Sequence, residues 1–271
     1  MNANQPLITI ITVVRNAAAD LEKTMRSVAG QDYSPVEYIV IDGGSTDGTV
    51  EVIKSHAEHV AYWVSEPDKG IYDAMNKGLA KASGEWVNFM NAGDVFFSEK
   101  VLTGIFIQDM EDTDVLYGDS IAHYPAFKAW RKAMPLEDIW KGMICCHQAM
   151  FFRTTLFKNR AYMPGLTFSA DYEVVLWLHH SGKNFRYVPK TIAVFDTRGT
   201  SNSNMVKSAR SNLEILKSSR ALAPHEKRFH YQVIFQSVLT EWIYRLLPVT
   251  VINAMLWRRY RDQILSESSQ P

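Results

Sequence analysis

The sequence predicts an α/β fold with a mostly parallel sheet flanked by helices, followed by a C-terminal helical extension. Over the first ninety or so residues, β-branched runs such as 7–14 alternate with segments of helical period such as 18–29. Beyond about residue 205 only helical patterns remain. We therefore expect an α/β domain over residues 1–204 and a helical extension over residues 205–271.

The composition fits a folded chain without a nucleic-acid partner. Hydrophobic residues make up 46% of the 271 residues and charged residues 21%, enough to bury a substantial core. Lysine plus arginine and aspartate plus glutamate number 29 each, so the basic excess typical of nucleic-acid binding is missing. The adjacent Cys145 and Cys146 are unsuited to a disulfide with each other, and we expect buried thiols in a reducing compartment.

The start of the chain lacks the pattern of a secretory signal. Met-Asn-Ala-Asn-Gln-Pro leads directly into a strand-like segment, without a basic start or a cleavage site. No uninterrupted apolar run approaches the roughly 20 residues of a membrane span. These features predict a cytoplasmic location.

The elements of the first half place two aspartates at one edge of the sheet. The β-branched run 7–14 predicts a strand, and Leu21, Met25 and Val28 line one face of a helix over 18–29. The next predicted elements are a strand over 38–41 that ends at Asp42, a helix after Asp47, a strand over 61–64, a helix over 71–82 and a strand over 86–90, before Asp94. Ligands of parallel sheets gather beyond the carboxyl ends of the strands, where Asp42 and Asp94 are expected.

The second half of the α/β domain has a less regular pattern. We predict a strand over 114–119, an aromatic hairpin arm over 123–131, a helix over 171–180 and a strand within 187–196 that Pro189 interrupts.

The extension combines helical patterns with a basic, apolar end. Helices are predicted over 206–220, 225–246 and 249–261. The last of them has apolar side chains next to several arginines, a composition typical of a helix lying on an anionic membrane. Packing against the α/β domain or a second subunit is the alternative, which Pro248 slightly favours because it interrupts the apolar run.

Two segments at the ends of neighbouring predicted strands favour a nucleotide pocket. Residues 12–16 end the first strand, and residues 40–49 read Val-Ile-Asp-Gly-Gly-Ser-Thr-Asp-Gly-Thr. An aspartate beside glycines can accept hydrogen bonds from a base or a ribose, because the backbone there can approach a ligand closely. Either segment alone is equally an ordinary turn with a helix cap, but the pair favours nucleotide binding.

Two further segments carry charged side chains near predicted ligand-binding turns. In residues 65–78, Lys69 could meet a phosphate and Asp73 a donor hydroxyl, although a capped, solvated helix start explains these residue types better. In the loop 91–94, Asp94 is suited to hold Mg²⁺ or Mn²⁺, ions that use few protein oxygens and complete their shell with water and phosphates.

Read in order, these segments resemble the family 2 glycosyltransferases, which have the GT-A fold. The matching stretches are Ile-Thr-Val-Val-Arg-Asn (11–16), Val-Ile-Asp-Gly-Gly-Ser-Thr-Asp-Gly-Thr (40–49), Glu-Pro-Asp-Lys-Gly-Ile-Tyr-Asp-Ala-Met-Asn-Lys-Gly (66–78) and Phe-Met-Asn-Ala-Gly-Asp (89–94). The chain is most similar to the branch that builds bacterial exopolysaccharides and O-antigens, such as colanic-acid transferases. The resemblance spans about residues 7–200.

The resemblance implies a donor and metal site. Asp94 would bind Mn²⁺ or Mg²⁺ on the donor diphosphate. The family often has aspartates across this loop, whereas this chain has Asn91 and Gly93, which predicts weak, donor-dependent metal binding. The expected donor-binding residues are Thr12, Val13, Arg15, Asp42, Lys69, Asp73, Asn91 and Arg198.

The resemblance also implies a general base at the start of a later helix. Asp171 fits that position, with Glu173 as the second candidate, and a helix cap is the alternative role for Asp171. Taking the proton of the acceptor hydroxyl as it attacks opposite the diphosphate would invert the anomeric configuration. His147 and Gln148 are expected to line the acceptor or diphosphate pocket.

The implied function is sugar transfer from a nucleoside diphosphate sugar to a lipid-linked or polysaccharide acceptor, at the inner face of the cell membrane. One alternative is a sugar nucleotidyltransferase, but residues 15–20 lack the glycines of its phosphate-binding loop. The other is a non-catalytic nucleotide-sugar-binding protein, which the reduced metal loop allows. The sequence leaves the sugar, the nucleotide and a homo-oligomeric state undecided.

Overall fold

The computed structural model describes residues 5–107, 110–158, 160–163, 165–199 and 204–265, and these form a nine-stranded sheet with helices on both faces. The strands are β1 Ile8–Val14, β2 Val36–Asp42, β3 Tyr62–Ser65, β4 Trp86–Phe89, β5 Val95–Phe96, β6 Val115–His123, β7 Lys128–Arg131, β8 Met150–Arg153 and β9 Phe185–Asp196. The helices are α1 Ala18–Ala29, α2 Thr49–Ser55, α3 Ile71–Leu79, α4 Val101–Phe106, α5 Ala170–His180, α6 Met205–Ser219, α7 Pro224–Leu246 and α8 Val249–Tyr260.

The strand order is β3-β2-β1-β4-β8-β6-β9-β5, with β7 paired to β6 as a hairpin. Strands β1 to β4 run parallel, and β6 and β9 are parallel to each other. Strand β8 is antiparallel to both of its neighbours, β4 and β6. The residues that precede β8 therefore lie at the same edge as the carboxyl ends of β1, β4, β6 and β9.

Two hydrophobic clusters sandwich the sheet. Every residue of β1 is buried, and the neighbours Ile10 and Ile11 belong to opposite clusters because side chains alternate along a strand. Helices α1, α2 and α4 cover one face, and α3, α5 and α6 cover the other. Within α6, which follows the predicted boundary at residue 204, Leu213 and Leu216 lie in the core.

The predicted α/β class and the helical extension are confirmed, while several element bounds differ. The predicted helix over 71–82 ends at Leu79, and the arm over 123–131 is a strand only from Lys128. Strand β9 continues through Pro189, although this residue has no N–H to donate. Its pairing with β6 shifts register at this point, so the proline lies in an irregularity of the ladder.

The extension is anchored to the α/β domain at both ends. Near the start of α7, His230 Nε2 lies 2.8 Å from the Trp140 carbonyl oxygen. After α8, the backbone N–H of Leu265 donates to the Lys128 carbonyl oxygen at 3.1 Å. Within the described part of the chain, neither these helices nor any other combine the length and hydropathy that a membrane span needs.

A glycine lets α3 lie directly against β1. A Cβ atom on Gly78 would approach Ile11 Cγ2 to 2.5 Å, closer than van der Waals contact permits. By contrast, a Cβ atom on Gly104 in α4 would meet Lys190 Nζ at 3.4 Å, the mobile end of a flexible side chain.

We expect Gly78→Ala to lower the free energy of unfolding by about 1–3 kcal/mol, because the added methyl group overpacks the α3–β1 contact. Gly104→Ala is the matched control and should be neutral or stabilising by up to about 1 kcal/mol through its higher helix propensity. Urea titration followed by circular dichroism measures both. Equal effects of the two variants would contradict the close approach of α3.

Candidate active site

A cavity of about 790 Å³ opens at the carboxyl edge of the sheet, a volume suited to a small-molecule ligand. Its walls come from the loops after β1 and β4, the turn before β8, the starts of α3 and α5, the end of β9, and α6. The polar side chains that line it are Arg15, Asp20, Tyr72, Asn91, Asp94, His147, Gln148, Thr167, Ser169, Asp171, Tyr172, Asp196, Arg198, Ser208 and Asn212.

Asp94 lies at the base of this cavity, with only 7% of its surface exposed. Its Oδ2 accepts a hydrogen bond of 2.5 Å from Gln148 Nε2, and its Oδ1 accepts one of 3.0 Å from the Asp196 backbone N–H. Burial raises the pKa of Asp94 to about 6, although these two hydrogen bonds act in the opposite direction. A nearby cation would favour the ionised carboxylate.

His147 connects the loop after β4 to the start of α5. Its Nε2 lies 3.0 Å from Asn91 Nδ2, and its Nδ1 lies 3.6 Å from Asp171 Oδ2. Donation by the Asn91 amide makes Nε2 the acceptor, which leaves the ring proton on Nδ1 facing the carboxylate. The imidazole therefore bridges Asn91 and Asp171 across the cavity.

The Asp171 carboxylate accepts two hydrogen bonds and also faces the His147 ring. Besides His147, the Tyr72 hydroxyl donates to Oδ1 at 3.2 Å and the Tyr172 backbone N–H donates to the same oxygen at 2.9 Å. Burial alone would raise the pKa of Asp171, but these groups outweigh it and hold the pKa below its ordinary value. Asp171 is thus an ionised proton acceptor at neutral pH.

The backbone before Asp171 is unusual for an α-helix start. The N-cap of α5 is Ser169, which has a φ angle of 63° and makes no side-chain capping bond. A left-handed conformation is uncommon for residues other than glycine, and such residues concentrate at functional sites. Since Asp171 follows the first helical residue, Ala170, it does not occupy the N-cap position that the alternative role would require.

Two amide oxygens of cavity residues lack a protein partner within the described part of the chain. Both Asn91 Oδ1 and Asn212 Oδ1 are buried and accept no hydrogen bond there. Buried polar atoms are normally paired, so these two oxygens indicate where a ligand, an ion or water would bind.

Asn91 and Asp94 together fit a hard divalent cation. Among the described residues no three His, Cys, Asp or Glu side chains form a metal cluster. However, Mg²⁺ and Mn²⁺ in nucleotide sites take few protein oxygens and draw the rest from phosphates and water. The Asp94 carboxylate, with the unpaired Asn91 Oδ1 three residues earlier, supplies such a partial oxygen set.

The structure brings most of the expected site residues to one cavity. Asn91, Asp94 and Asp171 share its walls with the other expected residues Val13, Arg15, His147, Gln148 and Arg198. Arg198 is paired with Asp196, with Nε 3.0 Å from both carboxylate oxygens. The last two residues of the loop 198–201 are outside the described residues.

Two expected donor contacts lie instead inside the sheet. Thr12 is fully buried, and its hydroxyl lies 2.7 Å from the Met90 carbonyl oxygen and 2.9 Å from the Tyr38 hydroxyl. Asp42 is also fully buried, and its Oδ2 accepts hydrogen bonds from the Ser45 backbone N–H at 3.0 Å and the Ser65 hydroxyl at 2.5 Å. The polar atoms of both side chains therefore form hydrogen bonds that join strands and loops.

Three more expected residues lie off the cavity wall. Lys69 is exposed, and its backbone N–H donates to Asp73 Oδ2 at 3.0 Å, so Asp73 stabilises the turn before α3. Glu173 forms an ion pair with Arg160, and burial raises the pKa of the Glu173 carboxyl. Of the two candidate bases, only Asp171 lines the cavity.

Several cavity residues were not expected from the sequence. Tyr72 lies in the segment 66–78, from which we expected Lys69 and Asp73 at the site and not the Tyr72 hydroxyl. No local sequence pattern marks the other unexpected residues as part of a site, because they reach the cavity only through the packing of α1, β9 and α6. They are Asp20, Asp196, Ser208 and Asn212.

Comparisons with known proteins agree with this architecture. The model of the family described as "Glycosyl transferase family 2" matches residues 9–169, more than half of the chain. A "PGL/p-HBAD biosynthesis glycosyltransferase" of Mycobacterium bovis is 34% identical over 157 residues, covering 56% of this chain and 61% of the relative. An uncharacterised glycosyltransferase of Mycobacterium tuberculosis is 34% identical over 178 residues, covering 63% and 68%.

Solved structures show the same fold at low sequence identity. A mannosyltransferase from Pyrobaculum calidifontis, solved with GDP-Man and Mn²⁺, has a TM-score of 0.65 at 16% identity and covers 96% of this chain and 83% of its own. Residues 1–349 of S. aureus TarS with UDP-GlcNAc give a TM-score of 0.61 at 15% identity, covering 84% and 71%.

The alignment spans about three-fifths of the first mycobacterial relative, 61% of its length. The nine-stranded sheet, its flanking helices and the cavity at its carboxyl edge form the GT-A architecture of the solved neighbours. On the family match and this architecture, the chain belongs to glycosyl transferase family 2.

Proposed function

We propose that the protein is an inverting glycosyltransferase that moves a sugar from a nucleoside diphosphate sugar to an acceptor hydroxyl. One observation carries the proposal: the ionised Asp171 carboxylate and the buried Asp94 carboxylate line the same cavity. The first can take a proton, and the second can hold the charge of a donor diphosphate through a cation. We assign the acceptor to lipid-linked or polysaccharide glycans of a bacterium.

Asp171 acts as the general base. It takes the proton of the acceptor hydroxyl as that oxygen forms a bond to the anomeric carbon, while the bond from this carbon to the diphosphate breaks on the opposite side. The configuration at this carbon is therefore inverted. His147 and Tyr72 keep the carboxylate oriented and ionised through contacts of 3.6 Å and 3.2 Å.

Asn91 and Asp94 would hold Mg²⁺ or Mn²⁺, a cation that offsets the charge of the leaving diphosphate. Val13, Arg15 and Arg198 line the same cavity and would contact the donor. Support for a nucleoside diphosphate sugar comes from the two structural neighbours, which were solved with GDP-Man and with UDP-GlcNAc. Thr12, Asp42, Lys69 and Asp73 are left out of this donor site, because they do not line the cavity.

The family match disfavours a nucleotidyltransferase. A non-catalytic nucleotide-sugar-binding protein remains the alternative to test, since the metal loop has one carboxylate. Such a protein would bind nucleotide without turnover, whatever the state of Asp171.

We expect Asp171→Asn to lower the transfer rate by roughly 10²–10⁴-fold, because the amide cannot accept the proton. Donor affinity should be preserved, since the change removes the base and keeps the shape. The matched control is Glu173→Gln, two residues later in the same helix and off the cavity, which should transfer at nearly the wild-type rate. Nuclear magnetic resonance of the product reports the anomeric configuration.

A reversed ranking, with Glu173→Gln inactive and Asp171→Asn active, would transfer the base role to Glu173. Equal, low turnover by the wild type and both variants would favour the non-catalytic alternative. A product that retains the donor configuration would overturn the inverting mechanism.

We expect one of UDP, GDP and dTDP, but not the monophosphate CMP, to raise the melting temperature in a manner that depends on Mn²⁺, because a ligand of the folded state stabilises it. Asp94→Ala should abolish the metal-dependent part of this shift. Asp73→Ala removes a carboxylate that lies off the cavity and should preserve it. An unchanged metal titration in Asp94→Ala would refute the metal assignment.

Without metal, Asp94 makes stability fall as the pH rises. Its folded-state pKa of about 6 exceeds the ordinary 3.8, so the folded state retains a proton that the unfolded state loses between these values. From below pH 4 to above pH 6, the free energy of unfolding of Asp94→Asn should therefore rise relative to that of the wild type by up to roughly 3 kcal/mol.

Thermal melts in EDTA at pH 4 and pH 7.5 measure this difference. The exposed Asp112 supplies the control Asp112→Asn, which should change the melting temperature by the same small amount at both values. A stabilisation by Asp94→Asn that is equal at the two pH values would contradict the raised pKa.

A further inference from the structure

Large apolar side chains are exposed along α7 and α8. Phe235 is 69% exposed, Trp242 61%, Val249 67% and Trp257 53%. Together with Leu239 and Leu246 they define what we term the extension face. Elsewhere in the described residues the exposed large apolar side chains are Ile71, Ile107, Trp130 and Met163, which are far apart in the sequence. Exposed apolar surface on this scale marks an interaction site.

The spacing on α7 produces a continuous stripe. Phe235, Leu239, Trp242 and Leu246 follow one another at intervals of three or four residues, so they lie on one side of the helix. Rising 1.5 Å per residue, this stripe is roughly 17 Å long. The other side of the helix faces the protein, where His230 is buried and Ile234 packs against the core.

Contacts at both ends hold the extension against the rest of the protein. Near the start of α7, His230 Nε2 lies 2.8 Å from the Trp140 carbonyl oxygen. At the end of α8, the Arg131 guanidinium lies 3.9 Å from the centre of the Tyr260 ring. The extension face therefore has a set orientation relative to the cavity.

The extension is also basic. Residues 224–265 contain six lysines and arginines (Lys227, Arg228, Arg245, Arg258, Arg259 and Arg261) and three acidic residues (Glu226, Glu241 and Asp262), a net charge of 6 − 3 = +3 in a chain that is neutral overall. The acidic side chains are engaged: Glu226 with Arg220, Glu241 with the Val206 backbone N–H, and Asp262 next to Arg261.

Arg245, Arg258 and Arg259 form no ion pair with any residue in the described part of the chain. If a second copy of the chain docked through the same face, the arginines of each copy would therefore find no free carboxylate on the extension of the other. Lipid phosphates supply the missing negative charge, and aromatic and aliphatic side chains beside arginines are the composition of interfacial helices.

We propose that the extension face binds the surface of an anionic lipid bilayer. Its apolar side chains enter the headgroup region, and Arg245, Arg258 and Arg259 meet lipid phosphates. Under the proposed function, this binding would bring the enzyme to membrane-borne acceptors. It does not rest on the proposed transfer reaction, because vesicle binding is measured without donor or turnover.

The test is flotation of the full chain with vesicles of phosphatidylcholine, with and without phosphatidylglycerol. We expect binding that requires the anionic lipid and weakens with salt. Arg258→Gln with Arg259→Gln should weaken it by about fivefold per arginine, or roughly 25-fold. The control pair Lys54→Gln with Lys100→Gln removes two exposed charges from the α/β domain and should have little effect.

The contribution of the apolar side chains to vesicle binding is tested by the double variant Phe235→Ser with Trp242→Ser. This variant should reduce vesicle binding by at least tenfold and leave the melting temperature unchanged. Ile107→Ser with Met163→Ser removes exposed apolar side chains elsewhere and should bind like the wild type. Wild-type protein that stays with the soluble fraction at low salt would overturn the proposal. Equal losses of vesicle binding in the control variants would also overturn it. The same holds if light scattering shows a dimer that Phe235→Ser with Trp242→Ser dissociates.

Discussion

Burial of the Asp94 carboxylate is the constraint on which the rest of the site depends. A buried carboxylate is costly unless hydrogen bonds compensate for lost water. Here the compensation comes from distant parts of the chain: the Gln148 amide before β8 and the Asp196 backbone N–H at the end of β9. The Thr24 hydroxyl in α1 also donates to the Asp94 carbonyl oxygen at 2.8 Å. Through its carboxylate and its backbone carbonyl, Asp94 thereby connects three separate segments to the loop after β4.

The same contacts determine where a proton acceptor can lie. Because Gln148 is held by Asp94, the preceding His147 is placed between Asn91 and Asp171. Asp94 and Asp171 are therefore connected through Gln148 and His147, adjacent residues of one short turn. In the proposed reaction, this connection keeps the base close to the position where the diphosphate leaves.

The helices after β9 have two distinct relations to the site. Helix α6 is part of the core and supplies Ser208 and Asn212 to the cavity wall. Helices α7 and α8 expose apolar and basic side chains to the surroundings and contact the α/β domain mainly at their ends. Under our proposals, the first completes a binding site and the others place that site at a membrane.

The sequence by itself determined the α/β class, because strand and helix periodicity are local properties. The resemblance of its ordered motifs determined the family and pointed to Asp94 and Asp171, which the structure places in one cavity. Only the tertiary structure decided that the Thr12 and Asp42 side chains are used inside the sheet, since their partners Tyr38 and Ser65 come from neighbouring strands. It also decided that the Gln148 side chain and the Asp196 backbone bind the Asp94 carboxylate, two contacts that the sequence did not predict. Their contacts with Asp94 exist because β8 runs antiparallel to β4 and β9 ends at the same edge, and strand pairing is a property of the whole chain.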